Sequence, residues 1–468
     1  MNLPDLKEAR KRSSNKTLHY DADIIKDETF FKGKKYFLKT YGCQMNEHDS
    51  ELIRNLVEGI GFLPVDSIEE ADLVILNTCA IRENAHDKVF GFLGRCKHEK
   101  EKNNNDMIIA LCGCMAQEPS VCEEIMKKHK YVDLVFGTHN IHELPNYLLN
   151  KINKTDFEVK SIEGDVVENL DYIRDSKISA WVNIMYGCDK FCTYCIVPYT
   201  RGKQRSRKSE KIIEEVKKLK KDGYKEVTLL GQNVNAYGKD LENELSFAEL
   251  LEETAKTGIE RVRFVTSHPW DFTTDMINVI AKYDNIMPYI HLPLQSGSTR
   301  ILKLMGRRYT KEEYLELFDN IKKTIPNVSV TTDIIVGFPG ETDEDFNETL
   351  DVVNKCKYDG AYTFIYSKRE GTPAAIMTNQ VDDKTKNDRL QKLNEIVNKY
   401  SLESNQKCLN KIVKVLITGS SEKGENMICG YTDTMKLVNV KGSKELIGNI
   451  VDVKITDAKS FSLDGEVI

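Results

Sequence analysis

Short apolar runs alternate with helix-length amphipathic stretches in two successive parts of this chain, and this order limits the fold more than any other feature. In the first series, the segment between the first two runs has helical periodicity. The runs of this series occupy residues 36–42, 71–78, 107–113 and 132–138. Strand followed by helix, repeated, predicts an open parallel α/β sheet with helices on its faces.

The second series has six apolar runs separated by helical patterns. They occupy residues 178–187, 226–231, 261–267, 287–294, 329–338 and 360–366. Six βα units are too few for a closed barrel, which needs about eight. We therefore predict a partial (βα)6 barrel, which ends in a long helix near residues 382–403.

The last part of the chain has short β-like runs interrupted by glycine and no helical pattern, which predicts a small antiparallel barrel of about five strands. An acidic stretch at 155–177 has no stable periodicity and is interpreted as a connection. The predicted organisation is a flexible N-terminal extension (1–35), an α/β-sheet domain (36–154), the partial barrel (174–404) and the small barrel (407–468).

Composition narrows the range of functions. No apolar run of eighteen residues and no signal peptide is found, so we expect a cytosolic protein without membrane association. Disulfides do not persist in the cytosol, so twelve cysteines point first to metal, cluster or catalytic roles. The net charge of −6 offers no global attraction for nucleic acid, which requires a local basic surface instead.

The motif GCDKFCTYC at 187–195 contains Cys188, Cys192 and Cys195, called the loop cysteines below. No further cysteine or histidine follows until His268, so a structural zinc ion would lack a nearby fourth ligand. The spacing suits a [4Fe–4S] cluster with one iron left open. We interpret that open position as the place for a substrate.

A second set, Cys43, Cys79 and Cys114, is called the sheet-edge cysteines. They follow successive strands of the first series at separations of 36 and 35 residues, about one βα unit. Each should therefore lie at the carboxyl edge of the sheet, where open α/β sheets bind ligands. Three buried cysteines that merely end strands are the alternative. Cys112 competes for the third place, but it lies within an apolar run.

The remaining cysteines are isolated and are interpreted as small buried hydrophobic residues. They are Cys96, Cys122, Cys356, Cys408 and Cys429.

The loop motif, with Tyr194 before its last cysteine, resembles the radical S-adenosylmethionine superfamily. Motifs along the chain from about Tyr36 resemble the methylthiotransferases within it. The sequences of the first two motifs given below are most similar to the branch that methylthiolates isopentenyladenosine in tRNA. The C-terminal barrel resembles the TRAM module, a small RNA-binding β-barrel. The motifs are YGCQMNEHDSE, NTCAIRENA, GCMAQ, GCDKFCTYCIVPYTRG, HLPLQSGS and IIVGFPGET.

This resemblance implies two [4Fe–4S] clusters. The loop cysteines would hold the one that binds S-adenosylmethionine and generates a 5′-deoxyadenosyl radical, and the sheet-edge cysteines an auxiliary cluster that carries the sulfur. It also implies S-adenosylmethionine as both methyl donor and radical source, a tRNA anticodon loop as substrate, and separate sulfur and electron donors. The C2–H of adenine is not acidic enough for a general base, so we assign no side-chain acid or base.

Two further groups of residues are candidates for binding. Gly231, Gln232 and Asn233 end the second barrel strand and Gly337 ends the fifth, where S-adenosylmethionine would contact the barrel, although turn glycines are an equal alternative. The run RGKQRSRK at 201–208 follows the loop cysteines. Its position favours phosphate contact over a solvated face. The residues proposed for that contact are Arg201, Lys203, Arg205 and Arg207.

Two alternatives remain open. Related methylthiotransferases act on threonylcarbamoyladenosine in tRNA or on an aspartate of a ribosomal protein. Only the motif sequences of the first domain separate them from the favoured branch. A non-catalytic RNA-binding protein with zinc or iron clips belongs to a different class. Two zinc ions and no visible absorption would support it.

Overall fold

A computed structural model describes residues 16–80, 83–103, 106–150, 156–159 and 164–468. Among these residues, no helix combines the length and the apolar character needed to cross a membrane. The chain forms two compact units. The first comprises residues 1–175, 185–208 and 369–372, and the second comprises 176–184, 209–368 and 373–468.

The first unit is built on a six-stranded sheet in which all neighbouring strands are parallel, as the sequence predicts. In spatial order its strands are Leu63–Pro64, Lys35–Tyr41, Leu73–Thr78, Ile108–Gly113, Leu134–Phe136 and Asp156–Glu158. Among the described residues of this unit, the helices are Gln44–Glu58, Glu83–Asn103, Pro119–Lys128, Leu144–Leu149 and the short Val197–Thr200.

Two separate hydrophobic cores lie on opposite faces of this sheet. Val74 and Leu76 belong to one core together with the helix Glu83–Asn103, whereas Leu73 and Ile75 belong to the other. Successive residues of a strand point to opposite faces, so an unbroken apolar run fills both cores. This explains why the central strands carry continuous apolar runs instead of alternating ones.

Two segments differ from their sequence-based interpretation. Asp156–Glu158, within the stretch interpreted as a connection, forms the last strand of the sheet, paired with Leu134–Phe136. Residues 1–15 of the predicted flexible extension lie outside the described residues. Within the rest of that extension, His19–Tyr20 pairs in parallel with Val166–Val167. All three of these strands, Asp156–Glu158, His19–Tyr20 and Val166–Val167, are only two or three residues long, which is too short to leave a periodic signal in the sequence.

The second unit contains six parallel barrel strands in two sheets of three, which confirms the predicted partial barrel. The sheets have the orders Arg261–Phe264, Glu226–Leu230, Ser179–Asn183 and Tyr289–His291, Ser329–Val336, Gly360–Ile365. Ser246, Thr310 and Thr342 each begin a helix with a reciprocal capping box. The helices are Ser209–Lys221, Phe247–Lys256, Thr274–Lys282, Thr299–Leu304, Lys311–Thr324, Asp343–Cys356 and Asp383–Gln406.

The C-terminal strands close into the predicted five-stranded barrel around an aliphatic interior. They are Ile412–Ser420, Met427–Thr432, Leu437–Lys441, Ile450–Ala458 and Leu463–Val467. The prediction of a wholly antiparallel barrel is wrong in one pair. Leu437–Lys441 and Leu463–Val467 run parallel, because the chain crosses the barrel through Ile450–Ala458 before it returns.

Candidate functional site

The three sheet-edge cysteines follow adjacent strands that end in register. Tyr41 is opposite Thr78, and Thr78 is opposite Gly113, so the three strands end at one level of the sheet. Cys79 and Cys114 come directly after their strands, and Cys43 follows Tyr41 by two residues. The chain therefore brings these cysteines to one edge, as their spacing predicts.

A buried amide pair connects the first two cysteine positions. The Asn46 side chain donates to the Asn77 Oδ1 atom at 3.1 Å, and the Asn77 side chain donates to the Asn46 carbonyl at 2.8 Å. The Asn46 Oδ1 atom also accepts a hydrogen bond from the Cys43 thiol at 3.5 Å. Both asparagines are fully buried, so these bonds form without competition from water. They hold the start of the helix Gln44–Glu58 against the strand Leu73–Thr78.

Glycine is required immediately before Cys114. Gly113 has a φ of +90°, and a Cβ atom there would lie 2.3 Å from the Thr78 carbonyl oxygen. No other residue type tolerates both the left-handed backbone and this approach. Gly113 therefore lets the chain turn at the sheet edge and place Cys114 beside the neighbouring strand.

The sheet-edge thiols influence one another electrostatically. A hydrogen bond with Cys79 lowers the pKa of Cys43, and the positive charge of Arg201 lowers it further. Burial raises the pKa of Cys114, while Arg201 opposes that shift. The thiolate is the form that binds iron, and the lowered pKa of Cys43 favours that form at this one position of the set.

Arg201 lies in the middle of this site. Its Nε atom donates to the Cys114 Sγ atom at 3.1 Å, and its Nη2 atom donates to the Asp49 Oδ2 atom at 2.6 Å. All three side chains are buried. Sequence reasoning missed this role of Arg201 and Asp49 because they are 152 positions apart, and nothing in the local pattern indicates that they pair.

The basic run at 201–208 is not an exposed surface, which corrects the predicted phosphate contact. The exposed fractions of Arg201, Lys203, Arg205 and Arg207 are only 5%, 7%, 2% and 4%. Arg207 pairs with the buried Glu168 at 3.3 Å, and Arg205 donates to the Arg201 carbonyl at 3.0 Å. These side chains therefore support the site from within and form no exposed basic surface in this structure.

The loop cysteines lie in the same compact unit as the sheet-edge cysteines. Cys188 is tied to the far end of its loop by a bond from its N–H to the Gly202 carbonyl at 3.1 Å, and the Cys195 N–H donates to the Cys192 carbonyl at 2.9 Å. Burial raises the pKa of Cys188, and the nearby charges of Cys192 and Cys195 raise it further. The three thiols of this loop therefore share one small region.

Neither set is arranged as a site for a single metal ion. Within the described ranges, no group of three histidine, cysteine, aspartate or glutamate side chains could hold one ion.

The candidate S-adenosylmethionine residues lie in the second unit. Gln232 follows the strand Glu226–Leu230, and both polar atoms of its amide are buried without a partner among the described residues. Asn233 donates to Asp271 at 2.8 Å, while its own Oδ1 atom has no partner there. Gly337 has a φ of +71°, and its N–H donates to Glu341 at 2.6 Å. Of these residues, Gln232 offers the clearest unmet hydrogen bonds for a ligand.

Two further residues after barrel strands were not identified from the sequence. Thr266 and Gln295 have positive φ values of +65° and +67°, which are rare outside glycine and asparagine. The Thr266 hydroxyl donates to the Gly231 carbonyl, and Gln295 forms a bridge with Ile334. Such backbone strain is concentrated at ligand sites, although a sequence alone does not show it.

A basic groove of about 630 Å³ lies within the second unit, between the end of the helix Asp383–Gln406 and the C-terminal barrel. Lys407, Lys411 and Lys414 line it, and the described structure shows no acidic partner for these three exposed lysines. Lys322 and Lys436 also line the groove, near Asp359. With only two aspartates against five lysines, the groove is electropositive.

Family models match three successive parts of the chain. They are Uncharacterized protein family UPF0004 at residues 35–137, the Radical SAM superfamily at 182–353 and the TRAM domain at 406–468.

Several curated relatives named tRNA-2-methylthio-N(6)-dimethylallyladenosine synthase align with 99% of this chain. The Bacillus cytotoxicus protein is 54% identical over 470 residues, which cover 92% of its length. The Staphylococcus epidermidis protein is 54% identical over 473 residues and 91% of its length. The Bacillus subtilis protein is 53% identical over 472 residues and 92% of its length.

Among solved structures, the radical S-adenosylmethionine methyltransferase TsrM from Kitasatospora setae, bound to tryptophan and aza-SAM, has a TM-score of 0.55 at 13% identity. The similarity covers 74% of this chain and 75% of TsrM. The cobalamin-dependent radical enzyme OxsB has a TM-score of 0.50 at 12% identity, over 78% of this chain and 56% of OxsB. At these identities the similarity concerns the fold alone.

Proposed function

The chain belongs to the tRNA-2-methylthio-N(6)-dimethylallyladenosine synthase family, and from this membership we propose that it attaches a methylthio group to C2 of N6-isopentenyladenosine next to the tRNA anticodon. Identity of 53–54% over 99% of the chain is the observation that carries this proposal. It favours this substrate over the threonylcarbamoyladenosine and ribosomal-protein substrates of related enzymes. Because its substrate is tRNA, we place the enzyme in the cytosol.

We further propose that the loop cysteines and the sheet-edge cysteines each hold a [4Fe–4S] cluster with one open iron. The matched Radical SAM model and the shared position of each thiol set support this assignment. When bound, S-adenosylmethionine at the loop cluster supplies hydrogen-atom abstraction, and a second molecule supplies the methyl group. Electron and sulfur donors come from outside the chain.

In this proposal, the protein's own side chains bind and orient S-adenosylmethionine. Gln232, with its unpartnered amide, is assigned to S-adenosylmethionine together with Gly231, Asn233 and Gly337. Cys79, Cys114 and Cys192 are buried and the other three cysteines of the two sets are partly buried, which limits the access of water to reactive species. No acid or base is needed at C2, because the C–H bond there is broken homolytically.

The substrate assignment predicts a strong preference among anticodon loops. An isopentenyl group adds about five carbons of apolar surface, worth up to a few kcal/mol if buried at about 0.8 kcal/mol per methylene. A threonylcarbamoyl group brings a carboxylate that is unfavourable to bury without a cation. We therefore expect the isopentenylated loop to react at least ~10-fold faster than unmodified or threonylcarbamoylated loops.

Competition among the three loops, followed by mass spectrometry of the nucleosides, measures this preference. The adenosine lies in a single-stranded loop, so all three substrates are equally easy to unstack. Faster methylthiolation of the threonylcarbamoylated loop would transfer the protein to the related branch.

Because the basic run at 201–208 is buried, we propose that the tRNA backbone is bound elsewhere. We assign this contact to the basic groove beside the C-terminal barrel. Lys407, Lys411 and Lys414 are exposed and free of acidic partners within the described structure, so phosphates can displace their counterions. The TRAM match over residues 406–468 includes all three lysines.

Replacement of Lys407, Lys411 and Lys414 together by glutamine should weaken tRNA binding and flatten its salt dependence. For single-stranded contacts, the negative slope of log K against log salt should become shallower by about 2. Fluorescence anisotropy of labelled tRNA at several salt concentrations measures both quantities. As a matched control, glutamine at the exposed Lys217, Lys221 and Lys303 removes the same charge outside the groove. Equal slopes in the two variants would exclude the groove.

A further inference from the structure

We propose that Arg201 is a positioning residue for the cluster at the sheet-edge cysteines, where its hydrogen bond to the Cys114 sulfur raises the reduction potential of that cluster. This inference rests on the cluster assignment made above. It gives a role to a buried arginine that has no described hydrogen bond to the loop cysteines.

The geometry around Arg201 is specific. The Nε atom lies 3.1 Å from the Cys114 Sγ atom, a short distance for a donor to sulfur, and the Nη2 atom lies 2.6 Å from an Asp49 carboxylate oxygen. Arg201, Asp49 and Cys114 are 5%, 5% and 3% exposed, so water contributes little screening. The guanidinium therefore donates to the sulfur through one nitrogen and to the carboxylate through another.

The backbone of Arg201 is also fixed. Its N–H donates to the Val197 carbonyl at 2.8 Å, which ends the short helix Val197–Thr200, and its own carbonyl accepts a bond from Arg205. Ile196 and Tyr199, on the segment leading to Arg201, pack against Cys114 and Phe191. Packing thus fixes the segment that leads to Arg201 and the ion pair fixes its guanidinium, and a positioned donor loses little entropy when it bonds the sulfur.

A positive hydrogen-bond donor at a thiolate ligand favours the electron-rich state of a cluster. Reduction adds negative charge that is shared with the ligand sulfurs, and hydrogen bonds to those sulfurs are among the determinants of cluster potential. Asp49 acts in the opposite direction, because its negative charge disfavours the added electron. Arg201 bonds the Cys114 sulfur directly, whereas Asp49 bonds the guanidinium, so Arg201 should have the larger effect.

The test uses the full chain with Cys188, Cys192 and Cys195 replaced by alanine, so that the reconstituted protein carries the sheet-edge cluster alone. Electron paramagnetic resonance during a redox titration gives the ratio of reduced to oxidised cluster at a fixed potential. In this parent, the double change Asp49→Asn with Arg201→Gln should lower that ratio about tenfold, which equals about 59 mV for one electron. The double change removes both buried charges, so neither is left unpaired.

Three additional variants separate an effect on the potential from one on folding. Asp49→Asn alone should raise the ratio, in the direction opposite to the double change. Arg201→Lys, which keeps the charge but loses the planar fork, should give an intermediate value. Glu51→Gln with Arg174→Gln removes another buried ion pair of the same unit, with a 3.2 Å contact, and should leave the ratio unchanged.

An unchanged ratio in the double variant at full iron content overturns the role of Arg201 and leaves the cluster assignment intact. Absence of iron from the parent itself refutes the cluster assignment, and this proposal with it. If only the double variant fails to bind iron, Asp49→Asn and Arg201→Lys decide. An unchanged ratio of reduced to oxidised cluster in both of these variants would then overturn the proposal.

Discussion

Replacement of Cys188, Cys192 and Cys195 together by alanine is expected to abolish cleavage of S-adenosylmethionine and to halve the iron content. The intact chain should bind about eight irons after anaerobic reconstitution and the variant about four, because each thiol set holds its own cluster. Cleavage requires the open iron of the loop cluster, so 5′-deoxyadenosine should fall to background. Iron analysis and chromatography of the nucleoside products measure the two effects.

The control for this experiment is a triple alanine variant at Cys122, Cys408 and Cys429, which are also partly exposed but belong to neither set. It should retain full iron and full cleavage. Loss of all the iron, or of none, from the loop variant would contradict two independent clusters.

Replacement of Cys43, Cys79 and Cys114 together by alanine should separate cofactor cleavage from sulfur insertion. Under reduction, this variant should still form 5′-deoxyadenosine, because the loop cluster is untouched. It should give no methylthiolated nucleoside, since the cluster proposed to carry the sulfur is missing. Both products can be measured by mass spectrometry in one reaction mixture that contains isopentenylated tRNA.

Cys112→Ala is the matched control, since this thiol is fully buried two residues before Cys114 and packs in the sheet core. It should preserve both products. If the sheet-edge variant loses cofactor cleavage while spectroscopy shows an intact loop cluster, the proposed division of roles is wrong.

The position of the cysteines at the sheet edge could be predicted well because the βα units that lead to it repeat at a nearly constant length. Parallel strands end at one edge, and βα units of nearly equal length return the chain to that edge, so spacing alone brought Cys43, Cys79 and Cys114 together. The in-register ends at Tyr41, Thr78 and Gly113 confirm the underlying strand assignment. The ligand roles of the thiols remain proposals.

The sequence was misleading where long-range pairing decides burial. Five basic residues in eight suggested a surface at 201–208, but Arg201 and Arg207 find carboxylates at Asp49 and Glu168. No local pattern shows that a charge far away in the chain will compensate for burial. Likewise, residues 185–208 follow the first barrel strand but pack with the first unit, which continuity along the chain does not indicate.

The parallel pair in the C-terminal barrel has a consequence for biosynthesis. Leu463–Val467 is the last of its five strands to leave the ribosome, yet it lies between Leu437–Lys441 and Ile450–Ala458. Until it is made, both neighbours present unpaired backbone edges, the kind of surface that attracts other nascent chains. This module therefore completes its folding after translation of the whole module, and the growing polypeptide passes through an interval in which chaperones would have a clear target.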